Sequence, residues 1–581
     1  MYSNEKNVQI LLSLLKAHGV KKMVLSPGSA NASFVASVQY DGEFELYSSV
    51  DERSAAYIAC GLAEEAKEPV VICCTGATAS RNYMSGLTEA YYRKLPIIAI
   101  TATRPIVWIG QNRDQLIDRS IIPNDIAVKS VQIPIVQNKQ DEWECNLKIN
   151  DAILEASRNG GGPVHINLTT SYSLDFSVKQ LPKERVIHRF YENSKLPDVP
   201  KGNIAIFVGS HSVWDEKLKN AVDSFCEMYD AFVLCDQTSN YPGKYGIPCG
   251  MFNIAGFPNY EVKLLIHIGN VSASWPINAK EVWRVNIDGE VRDTYQLLTN
   301  VFEMSETCFF ESYCDNSLRK GTTQYDKWHE KYYKLENELK NNDARMEYSS
   351  MWIAQNMHSK LPKNSVIHFG ILNSLRCWNC FKLDQSIRGY SNTGGFGIDG
   401  GVSSLIGASL AFPEKKYFGI FGDLAFFYDM NSLGNRHISS NIRIMVVNNG
   451  LGGEFKNSLG NVQKAGLGDL ANDYISAYGH YGKESRELLK HYSQDLGFEY
   501  LSAFNKEQFM DVISKFITDD NRDKPMLFEV FMDDHEDVSA IDLLKDVGAK
   551  LSSERSILKK TKQVVKNLVG QSNITKIIHK S

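Results

Sequence analysis

Polar residues follow two short apolar runs in the last third of the sequence. Asp423 comes after the run 417–421, and Asn448 and Asn449 come directly after the run 442–447. Apolar runs of this length are typical of buried strands, and the carboxyl ends of neighbouring parallel strands meet at one edge of a sheet. Carboxylate and amide oxygens are ligands that Mg²⁺ accepts, with phosphate oxygens and water completing its octahedron. The spacing therefore predicts a magnesium and phosphate site.

A βαβ unit is the element that must position these residues. A crossover helix over Asp429–His437, between the two runs, would place Asp423 and Asn449 side by side. A helix that begins just after Gly422 and Asp423 would also offer its first amides to the phosphates. Asp and Asn are common turn residues as well, so an ordinary turn is the alternative for this motif taken alone.

A second acid stands at a predicted strand-to-helix junction near the N-terminus. Glu52 lies in the first turn of the helix predicted by DERSAAYIACGLA, after the run ELYSSV. Alone, it is typical of an acid at a helix N-terminus, with Asp51 as the cap. Together with the first motif, it resembles the pattern of thiamine-diphosphate (ThDP) enzymes, in which a glutamate hydrogen-bonds the aminopyrimidine so that C2 of the thiazolium can lose its proton.

Length and composition predict a soluble protein of several domains. The chain has 581 residues, more than one core usually supports, with 43% apolar and 23% charged residues. A net charge of -5 argues against a dedicated nucleic-acid binder. The N-terminus is typical of a surface amphipathic helix without a targeting signal, and no apolar run has membrane length, so we expect a cytoplasmic protein without a membrane span. The eleven cysteines lack zinc spacing and indicate reduced structural thiols.

The order of apolar runs and helical stretches predicts an α/β fold with three domains. β-rich runs such as EPVVICCT and LPIIAITA alternate with helical stretches, which indicates parallel sheets flanked by helices. Polar, proline-containing and charged segments separate the three regions. In the terms of the ThDP fold, we predict a pyrimidine-binding domain at 1–185, a central Rossmann-like domain at 200–312, a diphosphate-binding domain at 345–540 and a basic helical extension at 541–581.

Longer motifs resemble the MenD family, the ThDP-dependent 2-succinyl-5-enolpyruvyl-6-hydroxy-3-cyclohexene-1-carboxylate synthases of menaquinone biosynthesis. The resemblance covers the chain up to about residue 540. It implies ThDP and Mg²⁺ as cofactors, and a homodimer or dimer of dimers in which each active site takes Glu52 from one chain and Asp423 from its partner. The runs that carry it are LSPGSANAS, DERSAAYIACGLA, EAYYRKLPIIAITATRP, QLIDR, NSL, SNTGGFGIDGGVSS, GDLAFFYDMNSL and VVNNG.

The resemblance also implies roles for individual cofactor residues. Glu52 matches the pyrimidine activator, and Ile398 matches the apolar wedge that bends the cofactor into its reactive shape. Asp423 and Asn449 match the metal ligands, with the carbonyl of Leu451 as the third protein ligand. The remaining positions predicted to bind the cofactor are Thr75, Gly76, Asn373, Gly422 and Leu424.

The substrate pocket departs from the family pattern. MenD enzymes handle 2-oxoglutarate and isochorismate in a pocket lined with arginines, and three of those positions hold Ala30, Trp378 and Thr393 here. A basic pair near the end of the central domain corresponds to Trp275 and Pro276. Glu454 stands at an apolar position beside the thiazolium. The other positions assigned to the substrate are Ser29, Asn31, Arg104, Gln115 and Ser374.

These replacements predict a changed substrate. Arginines pair with carboxylates bidentately, and loss of one partner of a buried pair costs about 2–5 kcal/mol. We therefore expect that the chain does not make the menaquinone intermediate, unless arginines such as Arg113 or Arg376 substitute from shifted positions. Trp378 and Phe396 suggest a more aromatic pocket. Glu454 could transfer protons to an acceptor or bind a substrate amine, and the alternative is an exposed loop acid.

The reaction that the resemblance implies begins with decarboxylation of a 2-oxo acid. The enamine is then transferred to an acceptor or protonated to an aldehyde, and the absence of an adjacent His pair from the N-terminal domain favours transfer. FVGSHSVW contains no glycine fingerprint for a flavin, so we expect none. We predict a small 2-oxo acid donor, pyruvate-like or modestly larger, and an acceptor with fewer carboxylates than isochorismate, such as an activated sugar or another keto compound. The alternatives are the synthase reaction itself, a simple decarboxylase and a noncatalytic protein.

Overall fold

The computed structural model describes residues 1–211, 214–256, 262–274, 278–314, 321–457, 460–479, 485–520 and 523–569. The chain divides into two compact units. The N-terminal unit comprises Met1–Leu196 and Asp288–Glu303, and the C-terminal unit comprises Pro197–Ile287 and Met304–Ser581. Strands of the predicted central and diphosphate-binding domains thus belong to one unit, while 288–303 belongs with the N-terminal one.

The N-terminal unit is built on six parallel strands in the order β2-β1-β3-β4-β6-β5. A further parallel pair, β7 (His188–Tyr191) and β13 (Leu298–Glu303), belongs to the same unit. The six strands are β1 (Lys22–Leu25), β2 (Glu45–Ser48), β3 (Val70–Thr75), β4 (Ile97–Thr103), β5 (Lys129–Ile133) and β6 (Val164–Thr169). The helices are α1 (Lys6–Ala17), α2 (Ala32–Asp41), α3 (Glu52–Ala66), α4 (Thr78–Asn82), α5 (Met84–Arg93) and α6 (Lys139–Glu155).

Helices cover both faces of this sheet, which explains the unbroken apolar runs of the sequence. Val71 and Cys73 pack into the core cluster that contains α1 and α6, while Val70 and Ile72 pack with α3 and α5. Successive residues of a strand point to opposite faces, so both must be apolar when both faces are covered. The predicted surface position of α1 is wrong, because the helix is buried on most sides and even its Asn7 is 1% exposed.

The C-terminal unit contains two sets of parallel strands. Their orders are β10-β9-β8-β11-β12 and β15-β14-β16-β17-β19-β18. The first set is β8 (Ile204–Val208), β9 (Phe232–Cys235), β10 (Gly246–Pro248), β11 (Val262–Ile268) and β12 (Ala279–Val285). The second set is β14 (Val366–Phe369), β15 (Arg388–Tyr390), β16 (Tyr417–Gly422), β17 (Ile442–Asn448), β18 (Glu499–Ala503) and β19 (Met526–Phe531).

The helices of the C-terminal unit flank these strands. These helices and the parallel sheets of both units confirm the predicted α/β fold class. Their bounds are α7 (Glu216–Tyr229), α8 (Gly250–Ile254), α9 (Glu306–Ser312), α10 (Thr323–Asn341), α11 (Ser350–Met357), α12 (Asn373–Trp378), α13 (Gly401–Ala411), α14 (Asp423–Asp429), α15 (Asn461–Lys464), α16 (Leu488–Asp495), α17 (Lys506–Phe516) and α18 (Asp534–Val569).

The predicted βαβ unit is present, but its helix lies earlier than expected. β16 and β17 are parallel neighbours, and Gly422 is in register with Val447. The connecting helix α14 begins at Asp423 itself and passes into a 3₁₀ turn at Met430–Gly434, so the prediction of a helix over 429–437 is wrong. The carboxylate of Asp429, the last residue of α14, accepts hydrogen bonds from the amide and hydroxyl of Ser403 in the first turn of α13.

The C-terminal helix begins before the predicted extension. α18 starts at Asp534 and runs through Val569, so it includes the predicted extension up to that residue, and residues 570–581 lie outside the described part of the chain. Within the ranges that the structure describes, none of the helices combines the length and the apolar character needed to cross a membrane.

Candidate functional site

Asp423 and Asn449 lie together at the carboxyl edge of the β16–β17 pair. One Asp423 oxygen accepts the amide of Leu424 at 2.7 Å, and the other accepts the amide of Gly450, at the end of β17, also at 2.7 Å. The Asn449 side-chain oxygen lies 3.4 Å from the Leu451 nitrogen. Asp423 thereby ties the two loops together, because one carboxylate receives an amide from each of them.

The charge of Asp423 has no cationic partner among the described side chains. Asp423 is 3% exposed, and burial raises its pKa to about 7, although the amides of Leu424 and Gly450 oppose that rise. The nearby Glu529 raises the pKa further. Glu529 in turn accepts hydrogen bonds from the Asn448 amide and from the Tyr500 hydroxyl, both at 2.7 Å. A buried carboxylate beside an amide oxygen is a donor set that suits a divalent cation.

A cavity of about 710 Å³ opens beside this carboxylate. Eleven residues of the C-terminal unit were assigned to cofactor, metal or substrate, and all of them except Trp378 and Thr393 line this cavity. The nine are Asn373, Ser374, Ile398, Gly422, Asp423, Leu424, Asn449, Leu451 and Glu454. No cluster of three or more His, Cys, Asp or Glu side chains occurs within the described ranges, so the carboxylate, amide and backbone oxygens here are the candidate metal ligands.

Sequence reasoning missed a buried acid in the cavity wall. Asp537 of α18 is 4% exposed, and its oxygens accept the amide of Ser350 at 2.6 Å and the side-chain amide of Asn373 at 2.7 Å. The hydrogen bond to Asp537 holds the side chain of Asn373 in the cavity wall. No local pattern could have revealed this contact, since Ser350 and Asp537 are 187 positions apart.

Glu454 of the same wall is paired with an arginine. Its carboxylate meets the guanidinium of Arg376 with Nη1 to Oε2 at 2.5 Å and Nη2 to Oε1 at 3.0 Å. The side chains are 22% and 13% exposed, so Glu454 is not an exposed loop acid. Arg376, which was one of the arginines considered as a substitute, therefore already has a carboxylate partner.

Glu52 lies at the carboxyl edge of the sheet in the N-terminal unit. It is the first residue of α3, and Asp51 caps the helix by accepting the amide of Arg53 at 2.9 Å. The Glu52 carboxylate accepts the side-chain amide of Asn82 at 2.9 Å and remains half-buried. The helix capped by Asp51, which the sequence predicted, is therefore present, and the role of Glu52 as the pyrimidine activator stays a prediction.

The loops after β1 and β3 approach closely at this edge. A Cβ atom on Gly28 would lie 2.0 Å from the Cγ2 atom of Thr75, so only glycine fits there. A Cβ atom on Gly76 would likewise lie only 2.9 Å from the carbonyl oxygen of Ala102. Thr75 and Gly76 are thus held against neighbouring strands, as expected for residues that shape a binding edge.

The candidate substrate residues of the N-terminal unit differ in exposure. Ser29 and Gln115 are exposed, whereas Ala30 and Asn31 are buried, and the Asn31 amide donates to the carbonyl of Ser26 at 3.0 Å. Arg104 forms an ion pair with Asp114 at 3.1 Å and lies over the ring of Tyr172. Arg113 lies over the ring of Trp108 at 4.5 Å.

Three predicted pocket residues do not line the cavity. Trp378 is 1% exposed and packs against Phe369 at 5.4 Å between ring centres, so it adds no aromatic surface to the cavity. Thr393 is 4% exposed, and Phe396 is 38% exposed outside the cavity wall. Neither of the two aromatic side chains expected in the pocket, Trp378 and Phe396, therefore lines the cavity, whose wall includes Phe455 instead. Trp275 and Pro276 lie outside the described residues.

The parallel sheets, the acidic strand end and the cavity define a ThDP-dependent enzyme, and comparisons with known proteins support that class. A sequence profile for "Thiamine pyrophosphate enzyme, N-terminal TPP binding domain" matches residues 6–122. Three bacterial relatives bear the name 2-succinyl-5-enolpyruvyl-6-hydroxy-3-cyclohexene-1-carboxylate synthase. The relative from Bacteroides thetaiotaomicron is 33% identical to this chain, and the match covers 95% of this chain and 100% of the relative. The relative from Phocaeicola vulgatus is 32% identical, with 93% of this chain and 98% of the relative covered. The relative from Bacteroides fragilis is also 32% identical, with 95% of this chain and 100% of the relative covered.

The chain belongs to this synthase family. It is therefore a ThDP-dependent enzyme of the carbon–carbon bond-forming type, as the motifs predicted.

Proposed function

We propose that the chain is a ThDP- and Mg²⁺-dependent carboligase that decarboxylates a small 2-oxo acid and joins the remaining fragment to an acceptor with fewer carboxylates than isochorismate. The observation that carries the substrate part of the proposal is the pairing of Arg376 with Glu454. Because this arginine already has a carboxylate partner, it does not replace the arginines that are absent at Ala30, Trp378 and Thr393.

The cofactor part of the proposal rests on the donor set of the C-terminal unit. Asp423, Asn449 and the Leu451 carbonyl would hold Mg²⁺ against the diphosphate, and Ile398 would support the thiazolium. When bound, ThDP supplies the nucleophilic carbon and the electron sink for decarboxylation. Glu52 would hold the proton of the aminopyrimidine ring.

A homodimer is the smallest assembly that we propose. In ThDP enzymes the pyrimidine-binding and diphosphate-binding domains of different chains complete each active site, as the family resemblance implies. Each site of this protein would then combine Glu52 of one chain with Asp423 of its partner. Cytoplasmic residence is part of the same proposal.

A second candidate is the synthase reaction of the relatives themselves. The observation in its favour is 33% identity over 95% of this chain and the whole of a named synthase. On this proposal, Arg104 or arginines of a partner chain would bind the carboxylates of 2-oxoglutarate and isochorismate.

A substrate panel separates the two candidates. We would measure CO₂ release from pyruvate, 2-oxobutyrate and 2-oxoglutarate with ThDP and Mg²⁺, with and without carbonyl acceptors and isochorismate. We expect pyruvate or 2-oxobutyrate to give the highest kcat/KM, with release accelerated by an acceptor. Efficient turnover of 2-oxoglutarate with isochorismate would establish the synthase reaction instead, and aldehyde formation from pyruvate alone would indicate a simple decarboxylase.

A further inference from the structure

The ion pair between Arg376 and Glu454 has the geometry by which proteins recognise substrate carboxylates. Both oxygens of the carboxylate meet both terminal nitrogens of the guanidinium, at 2.5 Å and 3.0 Å. Bidentate pairing of this kind is stronger and more directional than a single contact, and it is used wherever arginine binds a planar anion. Here the carboxylate belongs to the protein itself.

The position of the pair connects it to the candidate active site. Arg376 lies on α12, two residues after Ser374, which lines the cavity, and Glu454 lines the cavity in the 3₁₀ turn Gly453–Lys456. That turn follows Leu451, the predicted third metal ligand. Glu454 therefore lines the cavity, whereas Arg376, its ion-pair partner, is not among the lining residues.

We propose that Arg376 is an anion-binding site that Glu454 fills as a built-in carboxylate, which makes Glu454 a specificity-determining residue. With Glu454 in place, the guanidinium is occupied and neutralised, so a substrate bearing a second carboxylate finds no free cationic partner at this wall. Without it, the guanidinium would accept a carboxylate from the cavity. The inference rests on the proposed function for its meaning in catalysis, but the site itself can be tested with carboxylates that do not react.

The first test is rescue of Glu454→Ala by added carboxylates. Removal of the side chain leaves an unpaired, largely buried guanidinium and a space of carboxylate size. We expect a lower melting temperature for the variant, restored in part by acetate or succinate at constant ionic strength, and binding of succinate by calorimetry. Wild-type protein should show neither effect. The double variant Glu454→Ala/Arg376→Gln should lose the response to both anions.

A matched control is available a few residues away. Asp469 pairs with Lys456 at 2.9 Å, but the Asp469 side chain is 92% exposed. Asp469→Ala should change the melting temperature little and should not respond to acetate or succinate, because water already solvates the Asp469 carboxylate in the folded protein. If Glu454→Ala fails to fold, Glu454→Gln keeps the side-chain volume, and succinate is expected to stabilise it because the guanidinium again lacks a counter-charge.

The second test measures specificity. We expect Glu454→Ala to raise the ratio of kcat/KM for 2-oxoglutarate to that for pyruvate by about tenfold or more, the scale of a gained charge-assisted pair. The proposal is overturned if neither anion stabilises the variant, if wild-type protein is stabilised equally, or if rescue occurs with an unchanged ratio. Failure of the wild-type chain to release CO₂ from any 2-oxo acid would refute the proposed function but not the anion site, which the succinate titration tests alone.

Discussion

The two compact units hold their candidate acids in opposite environments. Asp423 of the C-terminal unit is 3% exposed and receives backbone amides on both oxygens, whereas Glu52 of the N-terminal unit is half-buried and accepts one amide, from Asn82. The C-terminal unit has thus assembled its donor set beside an open cavity within one chain. The N-terminal unit presents its acid partly exposed, at the first residue of α3.

The largest effect that the comparison predicts is that of Asp423→Ala. The variant should lose Mg²⁺-dependent binding of ThDP, because the only charged candidate ligand is removed, and an affinity loss of about 2–5 kcal/mol is expected for a buried charge partner. Calorimetric titration of ThDP with Mg²⁺ measures the loss, and Asp469→Ala, at a surface acid, is the control. An unchanged affinity would show that Asp423 only holds the backbone at Leu424 and Gly450 in place.

Glu52→Gln should lower turnover strongly while cofactor binding is kept. A neutral amide cannot hold the proton of the aminopyrimidine, and general acid–base groups contribute roughly 10²–10⁴ in rate. Proton–deuterium exchange at C2 of bound ThDP, followed by NMR, reports the step directly. Asp51→Asn is the matched control, because asparagine also caps helices. Equal exchange rates in wild type and Glu52→Gln would mean that Glu52 is an ordinary helix-end acid.

Asp537→Asn tests the preorganisation of the C-terminal unit. An asparagine cannot accept from both Ser350 and Asn373 as the carboxylate does, so we expect a loss of about 1–3 kcal/mol in the free energy of unfolding and weaker ThDP binding. Urea denaturation and calorimetry measure the two effects, with Asp542→Asn on the same helix as control. If ThDP binds the variant as tightly as wild type, Asp537 only anchors α18.

The pH dependence of that variant follows from the burial of Asp537. Burial raises the pKa of the carboxyl group in the folded protein. The contribution of such a group to stability is complete below its unfolded pKa and is lost as the pH rises through its folded value. The free energy of unfolding of Asp537→Asn should therefore fall furthest below that of wild type at low pH, and the difference should shrink as the pH rises. A deficit that grows with pH would contradict the assignment.

The smallest effects are expected at two strained positions, one in each unit. Ala77 (φ 57°, ψ -133°) and Leu372 (φ 66°, ψ -119°) precede α4 and α12 in backbone conformations that suit glycine. Ala77→Gly and Leu372→Gly should each raise the free energy of unfolding by about 0.5–1 kcal/mol, which is the strain relieved less the entropic cost of ordering a glycine. Ala79→Gly, inside α4, should lower it. Stabilisation by the control would refute the strain argument.

Local patterns were sufficient for much of the molecule. Alternating apolar runs and helices predicted the parallel sheets, because strands covered on both faces must be apolar throughout. Spacing placed Asp423 and Asn449 at adjacent strand ends, where the structure has them, since the ends of neighbouring parallel strands always meet. The helix over 429–437 failed because the turn-forming residues after Asp429 were assigned to a helix that had already ended.

The sequence by itself determined the α/β class, the βαβ unit and the order of the motifs that mark a ThDP enzyme, because each depends on residues close together in the chain. Tertiary structure alone decided which side chains share the cavity. It buried Trp378 against Phe369, paired Glu454 with Arg376 and brought Asp537 to Asn373, which is 164 positions away. Such contacts depend on how distant elements pack and on which charges are removed from water, and no local spacing encodes either.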